Sequence, residues 1–164
     1  YNNSDYRENI INISINLIKI LETIHNSGYI HRDIKPGNIC LKNNEPFLID
    51  FGISKQYIIN KKHILEKSIK GIIGSYNFVS INILNMIEPS RRDDITSLIY
   101  IFIFLLLKAS KQYDFVNFKD KIYGLNLFCR ENGINIEKTI NYLNRMTFKQ
   151  KPNYDYLIKI LNEN

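Results

Sequence analysis

The strongest constraint on the fold is a markedly apolar run at residues 95–107, which directly follows two arginines and two aspartates. A bilayer-spanning helix takes about 18 or more apolar residues, so this run is too short to cross a membrane. It also contains Thr96 and Ser97. We therefore expect a helix buried in the core of a globular domain.

A second helix is predicted over residues 10–25, where apolar side chains recur with helical spacing. These are Leu17, Ile18, Leu21 and Ile24. Asn26 and Ser27 precede Gly28, a residue suited to the left-handed conformation that ends many helices. The polar residues 1–9 show no such period and are predicted to be irregular.

A small β-hairpin is predicted from two short apolar runs, residues 39–41 and 47–49, on either side of a turn-like composition at residues 42–46. Residues 29–30 indicate a short extended piece. Residues 31–38 include Pro36 and Gly37 and are predicted to be a loop.

Residues 50–82 lack sustained periodicity and predict a long loop, of the kind that is usually functional or disordered. Two further helices are predicted at residues 137–146 and 154–161. The expected fold class is mainly α with a small β-hairpin, in one domain that covers residues 1–164.

The net charge is +6, but the basic residues are not concentrated in one run, so neither a nucleic-acid nor a membrane partner is indicated. The two cysteines, Cys40 and Cys129, form no CxxC pair. Unrelated thiols fit a reducing compartment, and we expect an intracellular location in cytoplasm or nucleus.

Candidate chemistry lies in the loop, which offers Asp33, Lys35 and Asn38, and in Asp50 at the far end of the hairpin. A hairpin returns its second strand beside the first, so Asp50 should lie near the exit of the loop. Carboxylate and amide oxygens in small number suit Mg²⁺, which also shares phosphate oxygens. A nearby ammonium suits a phosphoryl group in transfer.

These residues form the pattern His-Arg-Asp-x-Lys-Pro-x-Asn, followed across the hairpin by Asp-Phe-Gly, and the pattern resembles the catalytic and metal-binding segments of protein kinases. The resemblance implies that Asp33 orients the substrate hydroxyl and Lys35 neutralises charge on the γ-phosphate of ATP. It also implies that Asn38 and Asp50 hold Mg²⁺. The implied architecture is the C-terminal lobe of a kinase fold.

Supporting roles follow from the same resemblance. His31 and Phe51 are expected to pack together and position the two segments. Ser75 is expected to place a hydroxyl between the catalytic Asp33 and its lysine, as in Ser/Thr kinases. Cys40 is expected on the floor of the adenine pocket, although a plain buried strand thiol is an equal alternative.

Three later segments resemble the casein kinase 1 group. Residues 74–82 end in Ser-Ile-Asn where most kinases have Ala-Pro-Glu, residues 90–94 read Ser-Arg-Arg-Asp-Asp, and residues 151–157 resemble a KPDYxYL signature. In that group Asp94 would accept backbone N–H groups of the catalytic loop. A simple helix cap is the alternative role for Asp94.

The sequence departs from this group at several positions. Asn77 stands where relatives have an anion-binding Arg, which leaves a preference for acidic or phosphorylated substrates open. Ile99 replaces a glycine of the central helix, which suggests altered packing. The region after Ser110 is shorter than in relatives and the chain has no Trp, so a substrate-side helix is expected to be reduced.

A Gly-rich loop ahead of Ile10 and a Val-Ala-x-Lys strand are absent from the sequence, which starts at Tyr1. We expect a kinase C-lobe whose N-lobe is a missing partner, with protein Ser/Thr side chains as substrates and ATP and Mg²⁺ as cofactors. Residues 1–164 by themselves are expected to be inactive. A non-catalytic binding module derived from a kinase and a small-molecule phosphotransferase are the alternatives.

Overall fold

The computed structural model describes residues 3–109, 129–130 and 136–163. Within these ranges the longer helices are α1 (Asn3–Asn26), α3 (Arg91–Ala109), α4 (Glu137–Arg145) and α5 (Tyr154–Asn162), with one short helix, α2 (Ile81–Leu84). The predictions for the last two helices are confirmed to within one residue. The substrate-side region expected to be reduced lies mostly outside the described residues.

Helix α3 is the centre of the core, as the apolar run predicted. Its buried side chains point in every direction around the helix, which is the pattern of a helix enclosed by protein. They include Ile95, Leu98, Ile99, Ile101, Phe102 and Ile103. Helices α1 and α4 pack against α3, and α5 packs against α1. In the described ranges, no helix is long and apolar enough to cross a membrane.

Helix α1 is longer than predicted, because it begins at Asn3 and not near Ile10. Its buried residues start at Ile10 and continue through Leu17 and Leu21. The first turns carry exposed residues such as Asp5 and therefore show no apolar period. The prediction of an irregular start was wrong because an exposed helix end is stabilised by propagation from the packed part, which periodicity does not detect.

The strands pair as three small antiparallel sheets in the described part of the chain. Strand β1 (Tyr29–Ile30) pairs with β4 (Lys55–Gln56), β2 (Ile39–Lys42) with β3 (Glu45–Leu48), and β5 (Ile58–Ile59) with β6 (Lys62–His63). The turn of the β2–β3 hairpin is Asn43-Asn44, with φ angles of 53° and 64°. Asparagine tolerates this left-handed conformation, and two such residues suit a tight two-residue hairpin turn. The predicted hairpin is confirmed.

The segment 50–82 is not one structureless loop, so that prediction was wrong. It contains β4, the β5–β6 hairpin and the start of α2. Strands of two residues are too short to show an alternating pattern, and β4 pairs with the distant β1. This pairing holds the chain that leaves Phe51 against the chain that enters the predicted catalytic loop.

Candidate active site

The predicted catalytic loop is anchored from below by Asp94, in the first turn of α3. The Asp94 carboxylate accepts hydrogen bonds from the backbone N–H of His31 at 2.7 Å and of Arg32 at 2.8 Å. Arg32 has a φ of 72°, a left-handed conformation that costs about 1–2 kcal/mol for a residue with a side chain. The expectation that Asp94 accepts N–H groups of the loop is confirmed, and these bonds hold the strained turn.

Three of the predicted site residues contact the Asp33 carboxylate. Its Oδ2 lies 2.7 Å from Nζ of Lys35 and accepts a hydrogen bond from Nδ2 of Asn38 at 3.1 Å. Its Oδ1 accepts a hydrogen bond from the Ser75 hydroxyl at 2.8 Å. Asp33 therefore lies between the Ser75 hydroxyl and the Lys35 ammonium. The sequence analysis had instead expected Ser75 to lie between Asp33 and the lysine.

The pKa of Asp33 is lowered from its ordinary value by these contacts. Burial raises the pKa, but hydrogen bonds from Lys35 and Ser75, the charge of Lys35 and a hydrogen bond from Asn38 together outweigh burial. An Asp33 carboxylate that stays ionised is able to accept a hydrogen bond from a substrate hydroxyl and to orient it.

Asn38 and Asp50 are brought together by the backbone of the hairpin. The N–H of Ile49 donates to the carbonyl of Asn38 at 2.9 Å, and this pairing places Asp50 next to the loop exit. Asn38 is buried, and its Nδ2 donates to the side chain and carbonyl of Asp33. Its amide oxygen is therefore the atom suited to a metal.

The Asp50 side chain is exposed, and its Oδ1 accepts a hydrogen bond from the N–H of Gly52 at 3.2 Å. In the described ranges, no three His, Cys, Asp or Glu side chains cluster as a metal site. A carboxylate and an amide oxygen, carried next to a paired backbone position, fit Mg²⁺, and water and phosphate oxygens would complete the shell.

His31 links the His-Arg-Asp and Asp-Phe-Gly segments of the motif. Its Nδ1 accepts a hydrogen bond from the Asp33 N–H at 3.3 Å, which leaves Nε2 to donate to the Ile49 carbonyl at 3.1 Å. Its ring packs on Phe51 with centroids 4.8 Å apart. The expected packing of His31 and Phe51 is confirmed.

Cys40 lies on β2, opposite Phe47 of β3, and both side chains are exposed. The alternative of a plain buried strand thiol at Cys40 is therefore wrong. Further exposed apolar side chains lie in the chain that follows Phe47, namely Ile49, Phe51 and Ile53. Apolar side chains near Cys40 and Phe51 are therefore exposed in the described part of the chain.

Gly74 is the residue that allows Ser75 to reach Asp33. It has a φ of 99°, and a Cβ at this position would lie 2.5 Å from the carbonyl oxygen of Arg32. The backbone at Gly74 thus passes in direct contact with the backbone of the predicted catalytic loop. The sequence analysis did not identify this constraint.

Asp93 anchors the Ser-Ile-Asn segment, a role that sequence reasoning missed. Its Oδ1 accepts hydrogen bonds from the hydroxyl of Ser80 at 2.5 Å and from Nδ2 of Asn82 at 3.0 Å, and its Oδ2 accepts the Ser90 N–H at 2.7 Å. Burial raises the pKa of Asp93, although these donors oppose the shift. The Ser-x-x-Asp spacing at residues 90–93 matches a capping box and was the available signal.

Glu88 is a second buried carboxylate that the sequence did not single out. It lies 2.6 Å from Nζ of Lys55, just after the Asp-Phe-Gly segment, and 4.0 Å from Nζ of Lys67. The Lys55–Glu88 pair joins the two ends of the segment between Gly52 and α3, and Lys67 links the middle of that segment to the same carboxylate. A single Glu before the helix carries no local pattern that would have predicted the pairing.

A model of the protein kinase domain matches residues 3–160. The chain is 34% identical over 163 residues to a probable casein kinase I homolog of Encephalitozoon cuniculi (strain GB-M1), across 90% of this chain and 51% of that relative. The chain therefore spans about half the length of the curated relative that it matches.

Proposed function

The chain belongs to the protein kinase family and is casein kinase 1-like, and we propose that it supplies the catalytic lobe of a Ser/Thr protein kinase. In this proposal the γ-phosphate of ATP is transferred to a protein hydroxyl. The required nucleotide-covering lobe, with its Gly-rich loop and lysine strand, is a partner of residues 1–164 in the complete kinase.

One observation carries the proposal: the arrangement around the Asp33 carboxylate. Its oxygens contact the hydroxyl of Ser75 and the ammonium of Lys35 at 2.8 Å and 2.7 Å. A carboxylate held this way can orient an incoming hydroxyl, while the ammonium lies where charge would develop on a transferred phosphoryl group. A scaffold without catalytic function would not need the four polar groups of the loop and hairpin in this geometry.

Asn38 and Asp50 are the residues that would hold Mg²⁺. When bound, the ion neutralises charge on the phosphates and orients them. Protein kinases in general use ATP and Mg²⁺. The buried Asn38 amide supports this assignment, because its nitrogen is already committed to Asp33 and its oxygen is left for a cation.

Ser/Thr specificity is part of the proposal and rests on Ser75. A short hydroxyl within hydrogen-bond reach of the catalytic Asp is what Ser/Thr kinases have by resemblance, and Lys35, two residues beyond Asp33, supports the same specificity. Cys40, exposed on β2, is proposed to contact the adenine. Asn77 is exposed and supplies no charge for an acidic or phosphorylated substrate.

The metal site is testable on residues 1–164 directly. In an NMR titration, Mn²⁺ as a stand-in for Mg²⁺ should broaden the resonances of Asn38 and Asp50 at millimolar concentration. Two protein ligands without phosphate bind weakly. Asp50→Asn should remove the broadening, whereas the control Asp155→Asn, an exposed carboxylate on α5, should not. Broadening at Asp155 alone would contradict the assignment.

Catalysis requires a polypeptide in which a Gly-rich kinase lobe precedes residues 1–164. In that protein Asp33→Asn should slow phosphorylation of Ser/Thr peptides by about 10²–10⁴-fold with little change in ATP affinity. Residues 1–164 by themselves should show no turnover. If the two-lobed protein is inactive although it binds ATP, the alternative of a non-catalytic binding module is favoured.

A further inference from the structure

Tyr154, the first residue of α5, begins a chain of buried hydrogen bonds that ends at the catalytic loop. Its hydroxyl lies 2.7 Å from Nδ1 of His25, and Nε2 of His25 lies 3.0 Å from Oδ2 of Asp94. Asp94 in turn accepts the backbone N–H groups of His31 and Arg32. All three linking side chains are at least 97% buried.

We propose that Tyr154 is a positioning residue for the catalytic loop and acts through His25 and Asp94. The proposal depends on the proposed function in one respect only, namely that the loop around Asp33 is the catalytic loop. The hydrogen bonds themselves join three segments that lie far apart in the sequence: the end of α1, the start of α3 and the start of α5.

The direction of each hydrogen bond follows from the groups available. Both oxygens of Asp94 accept backbone N–H groups, so Asp94 acts as an acceptor and Nε2 of His25 must donate to it. In a neutral imidazole the other nitrogen, Nδ1, is then an acceptor. With a neutral His25 the Tyr154 hydroxyl is the donor, and burial, which raises the pKa of Tyr154, keeps its proton in place.

A phenylalanine at position 154 would fill the same core volume but would leave Nδ1 of His25 buried without a donor. A buried polar atom without a partner is costly, so the imidazole would tend to turn or shift. Either movement weakens the bond to Asp94. Tyr57 adds a second constraint on His25, because its hydroxyl donates to the His25 carbonyl at 2.6 Å.

Hydrogen exchange measured by NMR tests the proposal without any kinase activity. In Tyr154→Phe, the amides of His31 and Arg32 should exchange about three- to tenfold faster than in the unmodified chain, while the amides in the middle of α3 stay unchanged. The matched control is Tyr156→Phe, which removes a hydroxyl from a ring on the same helix that is 37% exposed. This control should leave both loop amides unchanged.

A double-mutant cycle shows whether Tyr154 acts through His25. In a His25→Leu background, Tyr154→Phe should not accelerate exchange of the His31 and Arg32 amides any further. An additive effect would overturn the proposal. Equal acceleration throughout α3 and α5 would overturn it too, because it would mean that Tyr154 only stabilises the core.

If Tyr154→Phe does not fold, the direction of the hydrogen bonds can be tested on the unmodified protein. The ¹⁵N shifts of the His25 ring should show a proton on Nε2 and an accepting Nδ1, and a proton on Nδ1 would refute the proposed direction of the bonds. Failure of the proposed kinase function would appear in phosphorylation assays and would leave this exchange pattern intact, so the two failures are distinguishable.

Discussion

Gly74→Ala should destabilise the protein strongly, because the backbone at Gly74 lies very close to the backbone of the predicted catalytic loop. The added Cβ would lie 2.5 Å from the Arg32 carbonyl oxygen and 3.3 Å from a methyl of Val79. Carbon atoms do not approach a backbone carbonyl this closely, so the segment that carries Ser75 would have to move away from Asp33.

The magnitude has two parts. A φ of 99° is unfavourable for alanine, and a left-handed residue with a side chain costs about 1–2 kcal/mol. Moving two backbone segments apart adds a strain cost of about 1–3 kcal/mol, similar to that of overpacking a core. We expect a loss of about 2–5 kcal/mol, out of a total of about 5–15 kcal/mol for a typical domain.

Gly71→Ala is a closely matched control. Gly71 lies three residues earlier, has an ordinary φ, and a Cβ built there meets nothing within 4 Å. This substitution should change the free energy of unfolding by less than about 0.5 kcal/mol, as is usual for a surface position.

Urea denaturation followed by circular dichroism is the assay. For an m-value of about 2 kcal/mol/M, Gly74→Ala should lower the midpoint by about 1–2.5 M relative to Gly71→Ala. If a local backbone shift relieves the strain, the loss of stability is smaller. The hydrogen bond from Ser75 to Asp33 is then lost and the pKa of Asp33 rises. The reasoning is refuted if Gly74→Ala matches Gly71→Ala in stability and leaves the pKa of Asp33 unchanged.

Three further predictions concern titration and thiol reactivity. Lys35→Met should raise the pKa of Asp33, because the Lys35 ammonium 2.7 Å away favours the ionised carboxylate. The pKa can be read from the carboxyl ¹³C shift of Asp33, and an unchanged pKa would contradict the assigned contact. Burial and nearby positive charges lower the pKa of His63 from 6.5, so the unfolded chain binds the proton more tightly. The free energy of unfolding should therefore fall as the pH drops below about 6.5. In urea denaturation at several pH values, His63→Gln should reduce the dependence of this free energy on pH, and an equal dependence in both proteins would contradict the prediction. Exposed Cys40 should react with a thiol reagent in the folded protein, whereas Cys129, whose pKa burial raises to about 12, should react only on unfolding.

Much of the fold was predictable because its signals are local. The apolar run of α3, the Asn-rich turn between β2 and β3 and the glycine after α1 each carry their information within a few residues. The same holds for the contacts of Asp33 with Lys35 and Asn38, which lie two and five residues further along one loop. Residue order and the geometry of a single turn were sufficient here.

The contacts of Asp33 with Ser75 and of the loop with Asp94 were expected only from resemblance, since they span 42 and 62 or 63 residues. Nothing local in the sequence requires them. The irregular start predicted for α1 and the loop predicted for residues 50–82 were wrong for a related reason. An exposed helix end and strands of two residues have no period of their own to detect.

The sequence by itself therefore determined the packed helices, the β2–β3 hairpin and the main chemical groups of the site, through hydrophobic periodicity and the order of residues in one loop. Only the tertiary structure decided that Gly74 must touch Arg32, and that Tyr154 reaches the loop through His25, 129 residues away. The physical reason is that a hydrogen bond or a close backbone approach depends on distances of a few tenths of an ångström between distant segments. Those distances are set by how the helices pack, and residue type alone leaves each polar group many possible partners.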